Sequence, residues 1–256
     1  MVSTALERRI RAKWLLDKVT SAKEAARLVK DGMALGIGTA DFVACPKTFF
    51  TALAEELKGK SRIKLFTRGP VPYEVDDLLT EADAYQRRFG QFSGSLFIKA
   101  ANERWFPVID TRTGILSHRV KDGRFGKIDI APIEATAITK EGYIIPSTTL
   151  LDAPSYVALA DKVIVEINTK IPEEIEVIHD IYVPGVPPNR KPIPLVSTGD
   201  RIGTPYIPLK SEKIAAIIES TIPDSPPLRS PTSENAQRIA SYLLDFLTSE
   251  VKRGRL

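Results

Sequence analysis

Two glutamates stand inside apolar segments of the chain, where a carboxylate needs a chemical reason to be present. Glu134 lies in the segment 128–138 and Glu166 lies in the segment 162–167. A carboxylate near the end of a buried strand costs free energy unless it is paired or takes part in binding or catalysis. Both glutamates are therefore candidate functional groups. The alternative is that each is a structural acid that accepts hydrogen bonds from backbone N–H groups or an arginine.

A glycine-containing turn is the second candidate site. Gly36, Gly38 and Thr39 stand at the carboxyl end of a predicted strand over residues 33–38 and come shortly before a helix that we expect to begin at Pro46. Ligands of open α/β sheets bind outside the carboxyl ends of the strands, and glycines there let backbone N–H groups come close to a ligand. The turn therefore predicts either a ligand-binding loop or simply a tight exit from the strand.

Several common kinds of site are disfavoured. A dinucleotide-binding turn would need a third glycine at position 41, where Asp41 stands. Cys45, His118 and His179 do not have the spacing of metal ligands, so we expect no metal. The chain also has no Gly-x-Ser-x-Gly motif of the kind that presents a nucleophilic serine. A single cysteine, together with an N-terminus that lacks an apolar signal segment, favours a cytoplasmic protein.

The charge of the chain points to small anionic ligands. The formal net charge is +4, and 27% of the residues are charged. No basic cluster alternates with aromatic residues, so we expect no nucleic-acid partner. No run reaches 18 apolar residues, so we expect no membrane partner.

The elements that must position these residues alternate between helix and strand, which predicts an α/β fold with an open, largely parallel sheet flanked by helices. We expect strands at 33–38, 62–67, 128–138, 162–167 and 214–218. A closing helix is predicted after Thr232 or Ser233, with an apolar face from Ala236 to Val251 and a stop at Gly254. We interpret residues 1–256 as one domain that ends at a completed structural unit. It includes a proline-rich segment, 183–231, expected to be ordered and packed on the domain.

Several segments resemble the N-terminal half of the acetyl-CoA hydrolase/transferase family, which includes succinyl-CoA:acetate and 4-hydroxybutyrate CoA-transferases. The resemblance extends from about residue 18 to residue 256 and is most specific in the second half. It rests on Ile133-Glu134-Ala135-Thr136, on Gly203-Thr204-Pro205 and on the segments 116–118, 126–130, 144–148, 160–168, 179–182 and 187–194.

The resemblance implies a fold, a cosubstrate and a mechanism. The fold would be the CoA-transferase fold, which is ribose-5-phosphate isomerase-like, and the cosubstrate would be coenzyme A. In the family, a glutamate attacks an acyl-CoA thioester to give an acyl-glutamyl anhydride. The CoA thiolate then forms a glutamyl-CoA thioester, and an incoming carboxylate reverses the steps. Such intermediates hydrolyse readily, so the cleft must exclude water.

The resemblance also implies that the nucleophilic glutamate lies in a second half, beyond Leu256, so that no catalytic residue is expected in this chain. The chain would be an α subunit or N-terminal half, and its partners would be a C-terminal half or β subunit, an acyl-CoA and a short-chain carboxylate. A homo- or hetero-oligomer is expected. Positions that match the family's substrate-binding side are Gly36, Gly38, Thr39, Pro46, Thr67, Arg68, Ser93, Glu134 and Thr136.

Departures from the family pattern fall near this predicted pocket. Thr39 and Ala44 stand where the family usually has glycine, and Pro70 stands at a position that is commonly serine. The segment 151–154 replaces a common Gly-Asn-Ser-Pro. Arg68 is interpreted as a compensating cation for the substrate carboxylate. Three alternatives stay open: an acyl-CoA hydrolase half, a non-catalytic scaffold or regulatory half, and a self-sufficient enzyme with Glu134 as nucleophile.

Overall fold

The structure is a computed structural model that describes residues 2–39, 42–188, 190–224 and 232–256. Its strands are β1 Ala34–Ile37, β2 Ile63–Thr67, β3 Tyr85–Gly90, β4 Val108–Ile109, β5 Ile130–Ile138, β6 Ile144–Pro146, β7 Lys162–Asn168 and β8 Ile214–Ser220. Its α-helices are α1 Thr4–Arg9, α2 Ala22–Ala26, α3 Lys47–Leu57, α4 Tyr73–Glu81, α5 Ser95–Asn102, α6 Leu116–Lys121, α7 Ala153–Leu159 and α8 Glu234–Lys252. Short 3₁₀ helices span Lys13–Lys18, Glu173–Val177 and Ser211–Lys213.

The strands of the described residues form one eight-stranded sheet in the order β4-β3-β2-β1-β5-β7-β8, and β6 pairs with β5. Every strand pair is parallel except β5 with β6. The predicted α/β class with an open, largely parallel sheet is therefore confirmed, as are the five predicted strands. A parallel sheet of this kind is covered on both faces, and all nine residues of β5 are buried accordingly.

Two apolar clusters cover the two faces of the sheet. Along β2, Leu65 belongs to one cluster and Phe66 to the other, as expected because successive side chains of a strand point to opposite faces. Helices α2 to α5 supply the cluster around Leu65, and helices α1, α6 and α7 supply the cluster around Phe66. The sheet is thus the middle of three layers.

Local sequence signals account for several helix ends. The side chain of Ser21 accepts a hydrogen bond from the backbone N–H of Glu24, and the Glu24 side chain accepts one from the backbone N–H of Ser21. This capping box starts α2. Helix α3 begins directly after Pro46, and its apolar face is fully buried. Gly59, which follows α3, has a φ of +65°, a conformation that favours glycine.

The chain divides into two compact units, Met1–Ser225 and Pro226–Leu256. The single-domain interpretation of residues 1–256 stays a prediction. In the second unit, Ser233 caps α8 as predicted, through a 3.1 Å hydrogen bond from the backbone N–H of Ala236. On the apolar face of α8, the side chains of Ile239, Leu243 and Val251 are exposed. Amphipathic spacing identifies a helix and its apolar face, but it does not supply a surface to cover that face.

The proline-rich segment behaves differently along its length. Residues 191–199 are all exposed, and Val196 exposes 94% of its surface, so the expectation that the segment packs on the domain is wrong there. Further along, Thr204 pairs with Ile181, and Ile207 pairs with Ile144 and is buried. Proline cannot donate to a strand ladder, which limits the pairing to these isolated points. The predicted segment's residues 189 and 225–231 lie outside the described residues.

Candidate functional site

The order of the sheet reverses between β1 and β5. From β1 the chain builds outward through β2, β3 and β4 on one side, and from β5 through β7 and β8 on the other. In open α/β sheets, the crevice at such a reversal, outside the carboxyl ends of the strands, is the usual place for a ligand. The predicted glycine turn follows β1, and Glu134 lies on β5, so both candidate features of the sequence meet at this edge.

The two glycines of the turn are required by close contacts with helix α7 and with the loop before it. A Cβ on Gly36 would lie 2.7 Å from the ring of Tyr156. A Cβ on Gly38 would lie 2.2 Å from the backbone nitrogen of Ala153 and 2.4 Å from the carbonyl oxygen of Leu150. The glycines thus let the carboxyl end of β1 touch α7 and the loop before it. Asp41 and Ala40, in the same loop, lie outside the described residues.

The predicted hydroxyl residues use their hydroxyl groups to fix the backbone. Thr39 donates to the carbonyl of Val43 at 2.7 Å, and Thr67 donates to the carbonyl of Gln91 at 3.0 Å. In the same way, Ser93 donates to Val71 at 2.6 Å, and Thr136 donates to Pro146 at 3.1 Å. All four side chains are buried. In this arrangement they hold the loops at the edge of the sheet in place.

Glu166 is held by the start of helix α3. It lies beside Glu134 in the register of β5 and β7, and its side chain is buried. Its carboxylate accepts hydrogen bonds from the backbone N–H groups of Thr48 at 3.2 Å and Phe49 at 2.8 Å. These are N–H groups that the helix itself leaves without partners, and the positive end of the helix dipole favours a carboxylate there. The contacts of Glu166 therefore fit the alternative that it is a structural acid that accepts hydrogen bonds from backbone N–H groups.

Glu134 belongs to a buried network with Lys47 at its centre. One Glu134 oxygen accepts a hydrogen bond from Ser147 at 2.8 Å, and the other accepts from Asn168 at 3.1 Å and from Lys47 at 3.3 Å. Lys47 also donates to Asp224 at 2.7 Å. Both oxygens of Glu134 are thus occupied, and its side chain has no exposed surface. A nucleophile has to reach its substrate, so this geometry gives no support to Glu134 as the nucleophile.

Burial shifts the pKa values of this network. It raises the pKa of Glu134, against the opposing effect of the Lys47 charge. It raises the pKa of Glu166 to about 7, against the hydrogen bond from the N–H of Phe49. For Lys47, burial alone would lower the pKa, but the charges of Glu134 and Asp224 raise it above its ordinary value. Lys47 is therefore a fixed positive charge that balances buried carboxylates.

A second buried network supports the loop that contains Ser93. Asp76 and Arg88 are both fully buried and form an ion pair, with 3.1 Å between Arg88 Nε and Asp76 Oδ1. Asp76 also accepts from the hydroxyl of Tyr85 at 2.5 Å and from the backbone N–H of Ser93 at 2.9 Å. Arg88 donates to the carbonyl of Gln91 at 2.6 Å. The network fixes the chain after β3, and with it the position of Ser93.

Arg68 and Asp152 face each other at the mouth of a cavity. Arg68 directly follows β2, Asp152 directly precedes α7, and 3.6 Å separates Arg68 Nη1 from Asp152 Oδ1. Arg68 exposes about a third of its side chain, whereas Asp152 is buried. Burial raises the pKa of Asp152, and the charge of Arg68 opposes that shift. The cavity has a volume of about 230 Å³, and Ser117, His118 and Lys121 line its other side.

Two further observations concern sites of other kinds. Within the described residues, no group of three or more His, Cys, Asp or Glu side chains is arranged to hold a metal ion. None of the described helices is both long enough and apolar enough to cross a membrane.

The sequence model that describes the acetyl-CoA hydrolase/transferase N-terminal domain matches residues 3–219. The chain belongs to this family. The resemblance carried by the sequence motifs is thereby confirmed, including in the first half of the chain, where the motifs are less specific.

Named relatives of the chain include CoA-transferases and hydrolases. The succinyl-CoA:acetate CoA-transferase of Clostridium kluyveri is 36% identical over 253 residues, which cover 98% of this chain and 47% of that protein. The acetyl-CoA hydrolase of Saccharomyces cerevisiae is 35% identical over 270 residues, which cover 100% of this chain and 50% of that protein. The chain therefore spans about half the length of these relatives.

Solved structures show the same fold at low sequence identity. RipA from Yersinia pestis matches with a TM-score of 0.62 and 16% identity, over 90% of this chain and 48% of that one. Glutaconate coenzyme A-transferase from Acidaminococcus fermentans matches with a TM-score of 0.55 and 10% identity, over 80% of this chain and 76% of that one. The predicted CoA-transferase fold is thus confirmed.

Within this family fold, the nine predicted substrate-binding residues fall into two groups. Arg68 is the one of the nine that presents a partly exposed side chain. The other eight are buried and lie behind the surface: Gly36, Gly38, Thr39, Pro46, Thr67, Ser93, Glu134 and Thr136. A direct role in binding stays a prediction for all nine. The contacts of the eight buried residues hold the carboxyl edge of the sheet in position.

The sequence analysis did not identify Lys47, Asn168, Asp224 or Asp152 as candidates. Lys47 directly follows the proline that starts α3, and Asn168 ends β7, so both stand at places where an α/β sheet presents polar groups. That position in the sheet is the signal that could have identified them. Asp224 lies 177 positions along the chain from Lys47. No local sequence pattern predicts a contact between residues so far apart.

Proposed function

We propose that this chain forms the N-terminal half of a CoA-transferase that moves CoA between an acyl-CoA and a short-chain carboxylate. The nucleophilic glutamate would come from a C-terminal half or β subunit. The observation that carries the proposal is Arg68, a cation with exposed surface beside a cavity at the carboxyl edge of the sheet, in a chain of this family. A guanidinium recognises a carboxylate through paired hydrogen bonds.

The proposed division of labour follows from the burial of the other candidates. Arg68 would hold the carboxylate of the acid, and the glycine turn after β1 would hold the edge in shape. The buried network of Glu134, Lys47 and Asp224 would fix the start of α3 and the loops around it. Coenzyme A would be a cosubstrate and not a resident cofactor. A cytoplasmic location and a homo- or hetero-oligomer are parts of the same proposal.

The test is reconstitution. The chain is incubated with acetyl-CoA and succinate, first alone and then with the polypeptide encoded beside it that supplies the second half. Chromatography measures succinyl-CoA, and a thiol reagent measures free CoA. We expect succinyl-CoA only in the mixture. Activity of the chain alone would instead support Glu134 as nucleophile, and no activity in either case would support the scaffold alternative.

Hydrolysis is the second candidate function, because the acetyl-CoA hydrolase of Saccharomyces cerevisiae is nearly as similar to this chain as the transferase of Clostridium kluyveri. The same assay separates the two. Free CoA that accumulates without succinate, and does so faster than succinyl-CoA forms in its presence, identifies a hydrolase half.

Arg68 supplies a sharper test of the carboxylate site. In the reconstituted enzyme, Arg68→Ala should raise the KM for the acid by roughly tenfold to a hundredfold, because a charge-assisted hydrogen bond contributes about 1.5–3 kcal/mol. The KM for acyl-CoA should change much less. Arg62→Ala is the control, since Arg62 precedes β2 at the opposite end of the strand and is exposed. An unchanged KM for the acid in a folded Arg68→Ala enzyme would reject this role.

A further inference from the structure

The segment that follows β8, residues 221–224, crosses the carboxyl edge of the sheet. Strands β7 and β5 lie between β8 and β1 in the sheet order. At the end of β7, the side-chain amide of Asn168 donates to the carbonyl of Ile222 at 2.7 Å. In the loop after β1, the backbone N–H of Ala44 donates to the carboxylate of Asp224 at 3.3 Å. The segment, which we call the strap, therefore lies across the crevice between β1 and β5.

Asp224 holds the strap in place with one carboxylate. Besides the N–H of Ala44, it accepts hydrogen bonds from Lys47 at 2.7 Å and from the hydroxyl of Thr148 at 3.0 Å. The three donors belong to the loop after β1, to the start of α3 and to the loop after β6. A carboxylate of the protein itself thus occupies the place where open α/β sheets usually bind a ligand.

Few other contacts hold the strap. Residues 221–223 are exposed. Within the described residues, the strap has two hydrogen bonds besides those of Asp224: Asn168 donates to the carbonyl of Ile222, and the N–H of Ile222 donates to the hydroxyl of Ser220 at 3.3 Å. A segment with so few buried contacts opens with a much smaller free energy than the whole protein unfolds.

Release of the strap leaves no buried charge without a partner. Lys47 faces two carboxylates, Glu134 at 3.3 Å and Asp224 at 2.7 Å. The Glu134 side chain has no exposed surface and stays with its strand, whereas Asp224 belongs to the exposed strap. When Asp224 moves into water, the pair of Lys47 and Glu134 remains neutral. The main penalty of breaking a buried ion pair, which is a lone buried charge, is therefore avoided.

The strap also closes a cavity and holds a strained loop. Ile222 lines a cavity of about 230 Å³ together with Lys47 and Val75, so the cavity loses part of its wall when the strap leaves. Ala44, whose N–H donates to Asp224, has a φ of +54°. Residues other than glycine rarely adopt this conformation, and it persists only where neighbouring groups enforce it. Release of Asp224 therefore loosens the loop after β1 as well.

We propose that residues 221–224 close the crevice between β1 and β5, and that release of Asp224 from its three donors opens the crevice to a ligand. The strap alternates between the latched state seen in the structure and an open state. This device belongs to the chain itself and does not depend on which reaction the chain supports.

The thiol of Cys45 reports the opening. Cys45 is the only cysteine of the chain, is fully buried and lies between Ala44 and Lys47, which both donate to Asp224. Its reaction with an aromatic disulfide, followed by the absorbance of the released thiolate, is measured on the whole chain in urea below the unfolding transition. We expect a slow rate that does not depend on urea, because a local opening exposes little surface. A rate that rises with urea as steeply as global unfolding would overturn the proposal.

Substitutions of Asp224 test the latch. Asp224→Asn loses the charge that pairs with Lys47 but keeps an acceptor, so it should raise the rate roughly tenfold. Asp224→Ala removes all three hydrogen bonds and should raise the rate roughly a hundredfold. Thermal transitions show whether the variants are folded.

Asp200→Asn is the matched control. Asp200 also accepts three hydrogen bonds, but all of them come from Val196 and Ser197 in its own turn. Its substitution should leave the reactivity of Cys45 as in the wild type. Equal rates in the wild type and both Asp224 variants, or an equal rise in Asp200→Asn, would reject the latch.

The reconstituted enzyme shows whether the strap controls access of a substrate, and this second test rests on the proposed function. A ligand that binds only the open state has an apparent affinity reduced by the fraction of molecules that are open. Asp224→Asn should therefore raise kcat/KM for acetyl-CoA, with succinate as acceptor, by roughly the same tenfold factor as the thiol reaction. An unchanged or lower kcat/KM would overturn the control of access. An inactive wild-type mixture would reject the proposed function, and the thiol rates would still decide whether the strap opens.

Discussion

At the scale of single residues, most of the polar groups at the carboxyl edge of the sheet serve the protein's own structure. Asp76 and Arg88 show the principle most clearly, since neither exposes any side-chain surface. A buried ion pair is not by itself strong evidence of added stability, because both charges lose their water. Removing one partner, however, leaves the other charge buried and alone, which is far more costly than keeping the pair.

Asp76→Asn should therefore lower the free energy of unfolding by about 3–5 kcal/mol. The substitution removes the charge that faces Arg88. It also weakens the hydrogen bonds that the side chain accepts from the Tyr85 hydroxyl and from the N–H of Ser93. Denaturant unfolding followed by circular dichroism measures the change.

Asp83→Asn is the matched control for that prediction. Asp83 is paired with Arg62, but both side chains are more than half exposed. Its φ of +52° is a conformation that asparagine tolerates. The control should change the free energy of unfolding by about 0.5 kcal/mol or less, as surface pairs do. Losses of the same size in the two variants would contradict the structural role assigned to the buried pair.

At the scale of elements, the sequence predicts what local patterns encode. The strands, the start of α3 after Pro46 and the cap of α8 follow from apolar runs, a proline and a capping residue, and the structure confirms them. The burial of Glu134 and Glu166 was predictable because both stand inside apolar strands.

The partners of these residues were not predictable in the same way. Lys47 and Asp224 are 177 positions apart, and Arg68 and Asp152 come from different elements of the chain. Such contacts are set by how the elements pack, and no local propensity carries that information. Helix α8 is the converse case, where the local pattern predicts the helix and its apolar face but does not say what covers that face.

The glycine turn after β1 supplies the prediction at this scale. Gly38→Ala should lower the free energy of unfolding by about 1–3 kcal/mol, because the new Cβ would overlap backbone atoms of Leu150 and Ala153, which cannot move without their segment. Thermal and denaturant unfolding measure the loss.

Gly199→Ala is the control for the turn. Gly199 is exposed, and a Cβ there would meet no atom within 4 Å. Replacing such a glycine should leave stability unchanged or raise it slightly, because alanine has less freedom in the unfolded chain. If Gly38→Ala is as stable as Gly199→Ala, the close approach of the two segments is not present in solution.

At the scale of the whole molecule, buried carboxylates make stability depend on pH in an unusual direction. Paired surface acids commonly have lowered pKa values, so the stability that these acids contribute is lost as the pH falls. Glu166 has a pKa raised to about 7 by burial, and Glu134 beside it is raised as well. A carboxyl that holds its proton more tightly in the folded state than in the unfolded chain favours folding at low pH. That contribution is lost as the pH rises through the folded pKa.

Comparison of the wild type with Glu166→Gln isolates this contribution. Glutamine lowers the free energy of unfolding by the same amount at every pH, because its amide does not ionise. The loss arises because its NH₂ group cannot accept a hydrogen bond from the N–H of Thr48 or Phe49. Between pH 4.5 and pH 7.5 the wild type should lose about 3 kcal/mol relative to the variant, from the shift between the ordinary value of 4.5 and about 7. Denaturant unfolding at a series of pH values measures the difference. A difference that stays constant across this range would show that Glu166 is ionised without penalty, and that the start of α3 fully compensates its burial.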